Sequence, residues 1–198
     1  MTKKEIFITS AFRENSVWRQ ILGICSSLAV TNLMMNSLIM GLGVIFSLAL
    51  SCLTISILRN YTPRSVRMIA QTLIIAAYVI IVDIILKAYL PQISKQLGPY
   101  VGLIITNCIL MGRAEAFASQ NKPFDSFIDG IGAGVGYTVV LLLIGFIREL
   151  FGFGSIFGFT VLGSWWIKWS IMVMAPSAFF ILAGLIWIIN VKYYRQKA

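Results

Sequence analysis

The chain has 198 residues, of which 59% are hydrophobic and 12% are charged, whereas a soluble domain usually carries about 25% charged residues. It contains no histidine, the commonest general base and metal ligand, and only 7 acidic residues, which argues against a soluble enzyme. The net charge of +9 comes from basic residues in short clusters between long apolar runs, a pattern typical of membrane-flanking anchors and not of a nucleic-acid interface.

Six apolar segments follow a polar N-terminal segment, residues 1–19, which lacks a signal-peptide cleavage site. A helix needs about 20 apolar residues to cross a bilayer. Four segments approach that length: Ser37–Leu58, Met68–Leu86, Ile131–Ile147 with a start near Ser126, and Trp169–Val191. Two others are shorter and contain glycine and asparagine, namely Gln20–Met35 and Gln96–Gly112. The glycine- and aromatic-rich stretch Phe151–Ile167 is predicted to be a loop or an interfacial segment.

The order of these segments is short, long, long, and then again short, long, long. Three spans in each half require the second half to cross the membrane in the opposite sense, which is the pattern of an inverted repeat. We therefore predict one all-α transmembrane domain of six helices, in which the first helix of each three-helix repeat is short or broken. Its repeats are residues 20–95 and 96–192, and a tail of residues 193–198 follows. An ordinary six-helix bundle with two weak helices is the alternative.

The distribution of basic residues predicts the orientation of the chain in the membrane. With a cytoplasmic N-terminus, only Lys87, Lys95, Arg148 and Lys168 of the 16 basic residues fall in outer segments. Both termini are therefore predicted to be cytoplasmic.

Two of the three cysteines lie in the short segments, Cys25 in the first and Cys108 in the second. If the halves are inverted copies, these thiols approach the middle of the membrane from opposite faces. Two thiolates cannot complete a four-cysteine iron–sulfur site, but a homologous partner could supply two more. The alternatives are buried apolar cysteines or a disulfide. Cys52 lies inside a long span and is assigned no role.

Asp83 and Asp129 are the acidic residues considered for a cation pathway. Asp83 lies in an otherwise apolar span, which marks it as a functional candidate, although a local ion pair with Lys87 explains it equally well. Asp129, like Asp125, precedes or opens a glycine-rich helix, where a carboxylate can stabilise the helix N-terminus. A cation entrance on the cytoplasmic side is the functional alternative.

The glycines at positions 130, 132, 134 and 136 are spaced so that small residues fall on helix faces, which predicts close helix packing in lipid. A dinucleotide-binding loop is rejected because no strand precedes the glycines. Arg113 and Glu115 are predicted to form a charged turn at the membrane edge with local pairing.

The segments around the two cysteines, Leu22–Thr31 and Val101–Ala118, resemble the paired signature segments of the NqrDE/RnfAE family of membrane subunits. The resemblance extends from about residue 15 to residue 190. It is greater to the members found in sodium-pumping NADH:quinone oxidoreductases than to the E subunit of the Rnf complex, which is the runner-up. Further matching segments are Ser65–Arg67, Ile93–Leu97, Ser126–Gly132 and Ala175–Phe180.

This resemblance implies a partnership with a homologous E subunit, in a six-subunit complex that also contains the A, B, C and F subunits. It implies an intramembrane 2Fe-2S cluster ligated by Cys25, Cys108 and two cysteines of that partner. Flavins and NADH would bind other subunits, and electrons would pass from NADH toward ubiquinone while Na⁺ leaves the cell across the bacterial inner membrane. Asp83 and Asp129 match acidic positions tied to cation movement. A non-redox ion transporter with the same repeat, or a structural scaffold, is the competing hypothesis.

Overall fold

The computed structural model describes residues 3–13, 15–63, 66–89, 91–156, 159–160 and 174–195, and these residues are predominantly helical. The helices are α1 (Lys3–Ile8), α2 (Ile24–Val30), α3 (Met34–Leu58), α4 (Arg67–Tyr89), α5 (Pro91–Ile105), α6 (Cys108–Arg113), α7 (Pro123–Phe153) and α8 (Ala175–Arg195). π-Helical turns extend α1 over Thr9–Arg13 and α6 over Ala114–Ala118. Two short strands, β1 (Ser155–Ile156) and β2 (Phe159–Thr160), pair antiparallel after α7.

Four stretches of the described chain are long and apolar enough to cross a membrane, in agreement with a multi-pass membrane protein. They are Met34–Leu58, Arg67–Tyr89, Tyr100–Ala118 and Pro123–Phe153, and Pro176–Val191 is a shorter apolar helix. Three of the long spans predicted from the sequence coincide with helices α3, α4 and α7, and the described part of the fourth overlaps α8, whose apolar stretch is shorter. Residues 169–173 lie outside the described residues. The stretch Tyr100–Ala118 falls on the predicted short segment Gln96–Gly112 and is longer than expected. Helix α2, with 7 residues, is about 10 Å long and cannot cross a bilayer by itself.

The core of the fold is the packing of α3 against α7, which run antiparallel. Gly130 and Gly134 of α7 lie against the α3 backbone, since a Cβ on Gly134 would come 2.9 Å from the Cα of Ile45 and one on Gly130 would come 3.0 Å from the Cα of Ala49. Gly41 of α3 lies against the side chain of Thr138 of α7. Small residues let two helix backbones approach closely where lipid offers no hydrophobic drive for association. The predicted packing role of these glycines is confirmed.

On the opposite face of α7 from Gly130 and Gly134, Gly132 and Gly136 lie against the N-terminal segment. A Cβ on Gly132 would come 3.0 Å from the carbonyl oxygen of Phe7, and one on Gly136 would come 2.7 Å from that of Ala11. The segment is fixed further along by Asn15, whose side chain donates to Ala11 O and accepts from Val17 N. Residues 3–13 and 15–17 thus form part of the packed structure beside α7.

An interruption at Thr106 and Asn107 separates α5 from α6. Asn107 has extended backbone angles and its side-chain oxygen accepts a hydrogen bond from Ile109 N at 3.1 Å, which is how an asparagine caps a helix start. The second predicted short segment is therefore a broken helix. It resumes at the residue Cys108.

Helix α7 has recognisable start and stop signals. Pro123 lies in its first turn, where a missing N–H costs nothing, and Gly154 ends it in the left-handed conformation with φ 68°. The predicted loop therefore begins three residues later than expected, and most of it lies outside the described residues. Arg148, which the charge count assigned to an outer segment, is buried within α7.

Candidate functional site

Cys25 and Cys108 both lie at the start of a short helix. Cys25 is the second residue of α2 and Cys108 is the first residue of α6. Both side chains are exposed at the surface of the chain. This exposure differs from the buried, apolar environment that cysteines of purely structural role usually occupy.

Hydrogen bonds join the residues next to these two cysteines. The Asn107 side-chain nitrogen donates to the Ser26 hydroxyl oxygen at 3.1 Å. The Ser26 hydroxyl also makes a short hydrogen bond with the Tyr137 hydroxyl and donates to Gly23 O at 3.2 Å. The starts of α2 and α6, which lie far apart in the sequence, are thereby held together and against α7. Because Ser26 follows Cys25 and Asn107 precedes Cys108, this contact brings the two cysteine-bearing turns together.

Gly23 permits the close approach at the start of α2. Its φ of 79° is in the left-handed region that favours glycine, and a Cβ there would come 2.5 Å from Ile109 Cδ1 and 3.1 Å from Tyr137 Cε2. Any other residue would be strained by its backbone angles and would push α2 away from α6 and α7.

The candidate metal ligands at this site are two thiols, those of Cys25 and Cys108. Among the described residues, no group of three or more histidine, cysteine or acidic side chains could hold a metal ion. Two exposed thiols on adjacent turns fit one half of a four-cysteine iron–sulfur site, since such clusters require four protein ligands. They fit no complete site within one chain. The third cysteine, Cys52, is buried in the α3 core, 1% exposed.

Asp129 is buried in an ion pair with Arg113. The Arg113 side chain donates from Nε to Asp129 Oδ2 at 3.1 Å and from Nη2 to Oδ1, so both carboxylate oxygens are engaged. Ser10 of the N-terminal segment accepts from Arg113 and donates to the Asp129 backbone oxygen at 3.2 Å. The side chains of Arg113 and Asp129 are 5% and 2% exposed. Asp129 lies in the second turn of α7, so this pairing replaces the predicted helix-start role.

Arg113 and Glu115 do not pair with each other, which corrects the expectation of a locally paired turn. Glu115 instead accepts from Arg67 at 3.3 Å and from the Gln71 side chain at 2.9 Å, both on α4. Residues two positions apart on a helix point to different sides, so the two side chains reach different neighbours. Arg113 thus bonds to α7, and Glu115 bonds to α4.

Asp83 forms the local ion pair that was one of its two sequence interpretations. Lys87 Nζ lies 2.6 Å from Asp83 Oδ2, and the Lys87 and Asp83 side chains are 64% and 25% exposed. The pair lies at a groove between α4 and α5 that Gly98 and Gly102 also line. Asp83 and Asp129 therefore occupy different environments, one at the surface and one in the core.

Two buried charged residues near the end of α7 were not identified from the sequence as site or packing residues. Arg148 donates to Thr31 Oγ1 at 2.7 Å and to the Leu28 carbonyl at 3.3 Å, at the end of α2. Glu149 accepts from the Met34 backbone nitrogen at 2.7 Å, at the start of α3. A cation at a helix C-terminus and a carboxylate at an N-terminus satisfy backbone groups that have no partner within the helix. The signal that could have found them is the presence of two ionisable residues at the end of a long apolar segment.

The chain matches one protein family over nearly its whole length. Residues 3–186 match the family described as "Rnf-Nqr subunit, membrane protein". The chain belongs to the Rnf-Nqr family of membrane subunits. The family resemblance deduced from the two cysteine segments is thus confirmed.

Relatives in this family include the D subunits of Na⁺-translocating NADH–quinone reductases from two bacteria. The one from Psychromonas ingrahamii is 52% identical over 192 residues, which cover 94% of this chain and 91% of the relative. The one from Yersinia pestis (strain Pestoides F) is 51% identical over 189 residues, which cover 93% of this chain and 90% of the relative. The greater resemblance to the NADH:quinone oxidoreductase members is confirmed.

Proposed function

We propose that this chain is a membrane subunit of a Na⁺-translocating NADH–quinone reductase of the bacterial inner membrane. The support is the identity of about half of all aligned residues with the D subunits of such complexes across more than nine-tenths of the chain. The complex would include the homologous E subunit and the A, B, C and F subunits, with NADH and flavins bound by other subunits. This chain is not expected to catalyse a reaction by itself.

Cys25 and Cys108 are proposed to supply two of the four ligands of a 2Fe-2S cluster, with two cysteines of the homologous partner completing it. The single observation that carries this assignment is the hydrogen bond between Asn107 and Ser26, which joins the two cysteine-bearing turns. The exposure of both thiols supports a shared site, because ligands from a second chain must reach the metal at the surface of the first.

The cluster, when bound, accepts and donates one electron at a time, which suits a relay between redox groups on the two membrane faces. Hydrogen bonds within this chain join the two cysteine-bearing turns, and the polar side chains behind them are buried. Ile109 and Tyr137 pack against Gly23 and close the site from the core side. Burial and hydrogen bonds around the thiols are the properties through which a protein tunes such a group.

The six-helix inverted repeat is proposed as the architecture that creates this site. If Met34 of α3 is matched with Pro123 of α7, then Ile45 corresponds to Gly134, and these two residues contact each other. Gly41 and Ala49 correspond to Gly130 and Thr138.

The observed contacts obey this relation, since Gly41 meets Thr138 and Gly130 meets Ala49. Arg59 and Arg148 correspond in the same matching. Each donates to the connection that precedes the opposite helix, Arg59 to Asn121 O at 2.8 Å and Arg148 to Thr31 Oγ1 at 2.7 Å. Such reciprocal contacts are those of a two-fold relation between halves of opposite orientation.

For the cation pathway, we propose a role for Asp129 and a lesser one for Asp83. Asp129 is a buried carboxylate in a span, and an ionisable residue at such depth is a functional candidate by default. In the present conformation Arg113 engages both of its oxygens. A Na⁺ ion could bind Asp129 only if this ion pair opens. Asp83 has Lys87 as a sufficient partner.

The test compares the purified complex with Cys25→Ala, Cys108→Ala and Cys52→Ala variants. We expect the first two to lose cluster iron, the electron paramagnetic resonance signal and quinone reduction, and the buried Cys52→Ala to retain all three. Retention of iron and signal in both Cys25→Ala and Cys108→Ala would refute the assignment. Intact Na⁺ movement in those variants would then favour the non-redox transporter.

A further inference from the structure

A buried hydroxyl lies directly behind the two cysteine-bearing turns. Tyr137 is 0% exposed, and its hydroxyl bonds with Ser26, which is 2% exposed and also accepts from Asn107. The Asn107 side chain is engaged at both ends, since its oxygen accepts from Ile109 N. Polar groups buried at this depth require partners. These three side chains satisfy one another in a network that spans α2, α6 and α7.

The network is absent from the other half of the repeat, if the halves are matched as above. Tyr137 corresponds to Leu48, which is also fully buried. When Cys25 is matched with Cys108, Ser26 corresponds to Ile109 and Asn107 corresponds to Ile24. Apolar residues occupy all three corresponding positions. The packing of the fold therefore does not require the polar side chains, and their burial calls for a role at the cysteine turns.

We propose that Tyr137 is a positioning residue for the cysteine pair, acting through Ser26 and Asn107 to set the separation of Cys25 and Cys108. This inference rests on the proposed function, because the separation matters only if the two thiols bind one group. The aromatic ring contributes packing against Gly23. The hydroxyl contributes the link between the two turns, so a phenylalanine at position 137 would keep the packing and lose the link.

The first test measures the cysteine separation without a metal. The full-length chain with Cys52→Ala carries only Cys25 and Cys108 as thiols. In membranes stripped of iron, a mild oxidant or a short bis-maleimide joins the two thiols at a rate that reports how often they approach. We expect Tyr137→Phe to change that rate about three- to tenfold, the range expected for one lost hydrogen bond between buried neutral groups.

Tyr78→Phe is the matched control. The Tyr78 hydroxyl also links two helices, with its bond to Thr54 on α3 at 2.7 Å, but it does not contact the cysteine turns. We expect no change in the cross-linking rate for this variant. Ser26→Ala, which removes the shared hydroxyl with a smaller structural change, should reproduce the effect of Tyr137→Phe. Unchanged rates in both Tyr137→Phe and Ser26→Ala would overturn the inference.

The second test measures the cluster in the assembled complex. Tyr137→Phe should retain iron while its midpoint potential and electron paramagnetic resonance line shape differ from those of wild type, and Tyr78→Phe should match wild type in both. If iron depends on Cys25 and Cys108 but Tyr137→Phe alters neither potential nor line shape, only the positioning role fails. If iron does not depend on the cysteines, the proposed cluster assignment fails, and the cross-linking result alone decides whether Tyr137 sets their separation.

Discussion

The buried pair of Arg113 and Asp129 gives the sharpest prediction about stability, because Asp83 offers a matched comparison at the surface. Asp129→Asn removes the carboxylate to which Arg113 makes two hydrogen bonds. The Arg113 charge, 5% exposed, is then buried without a negatively charged partner. Removing one member of a buried ion pair typically costs about 3–5 kcal/mol. Asp83→Asn breaks a pair between residues four apart at the surface, for which the cost is about 0.3–0.5 kcal/mol.

These free energies predict clearly different melting temperatures for Asp129→Asn and Asp83→Asn. For a chain of this size, 1 kcal/mol corresponds to about 2–4 °C, so Asp129→Asn should lower the Tm by roughly 6–20 °C. Asp83→Asn should lower it by no more than about 2 °C. The measurement is thermal unfolding of the purified full-length variants in one detergent, at matched lipid content.

A double variant isolates the uncompensated charge as the cause. Arg113→Met combined with Asp129→Leu replaces the pair with apolar side chains of similar volume, a change that is often neutral or stabilising. We expect it to recover most of the Tm lost in Asp129→Asn. Equal effects of Asp129→Asn and Asp83→Asn, or no recovery in the double variant, would refute the argument that burial of the ion pair controls stability here. Quinone reduction against Na⁺ concentration then shows whether the recovered fold still requires the carboxylate.

Three further predictions use the same kind of comparison. Gly134→Ala should lower the free energy of unfolding by about 1–3 kcal/mol more than Gly102→Ala does, because its new Cβ meets the α3 backbone while Gly102 faces open space. Equal losses in the two variants would contradict the close α3–α7 packing. Maleimide should label Cys25 and Cys108 in the isolated chain far faster than the buried Cys52, and comparable labelling of all three, read by mass spectrometry, would contradict the exposure of the site. Glu149→Gln should cost about 1 kcal/mol in the same unfolding assay, since the neutral amide oxygen still accepts from the Met34 nitrogen but makes a weaker bond than the carboxylate. Glu115→Gln, on an exposed residue, should cost little.

The sequence predicted the long helices because hydropathy depends only on local composition. The span predicted to begin at Ser37 begins at Met34, and both end at Leu58. The glycine spacing identified two packing faces of α7 for the same reason, since helix periodicity fixes which glycines share a face. The partners of those faces, α3 and the N-terminal segment, depend on tertiary contacts that the spacing does not encode.

The charged residues were the hardest to predict. Arg113 was expected to pair with Glu115, two positions away, but its partner is Asp129, which the turn between α6 and α7 brings alongside. Arg148 was assigned to an outer segment because basic residues usually flank spans. It is buried because the end of α2 offers carbonyl and hydroxyl acceptors beside it. In both cases the prediction considered only neighbouring residues, and the actual partner lies far away in the sequence.

The short helices connect the charged pairs to the cysteine site. Helix α2 is held at its start by the Ser26 network and at its end by Arg148, so both of its ends depend on α7. Helix α6 is likewise held at its start by Asn107 and at its end by the bond from Arg113 to Asp129, also on α7. A movement of α7 along its axis would therefore displace both cysteine-bearing turns together. Loss of the bonds to α2 alone, or to α6 alone, would displace only the turn on that helix. Helices this short have little stability by themselves, so contacts with a longer helix orient both of them. In this chain that helix is α7, and its polar contacts are concentrated where the two short helices begin and end.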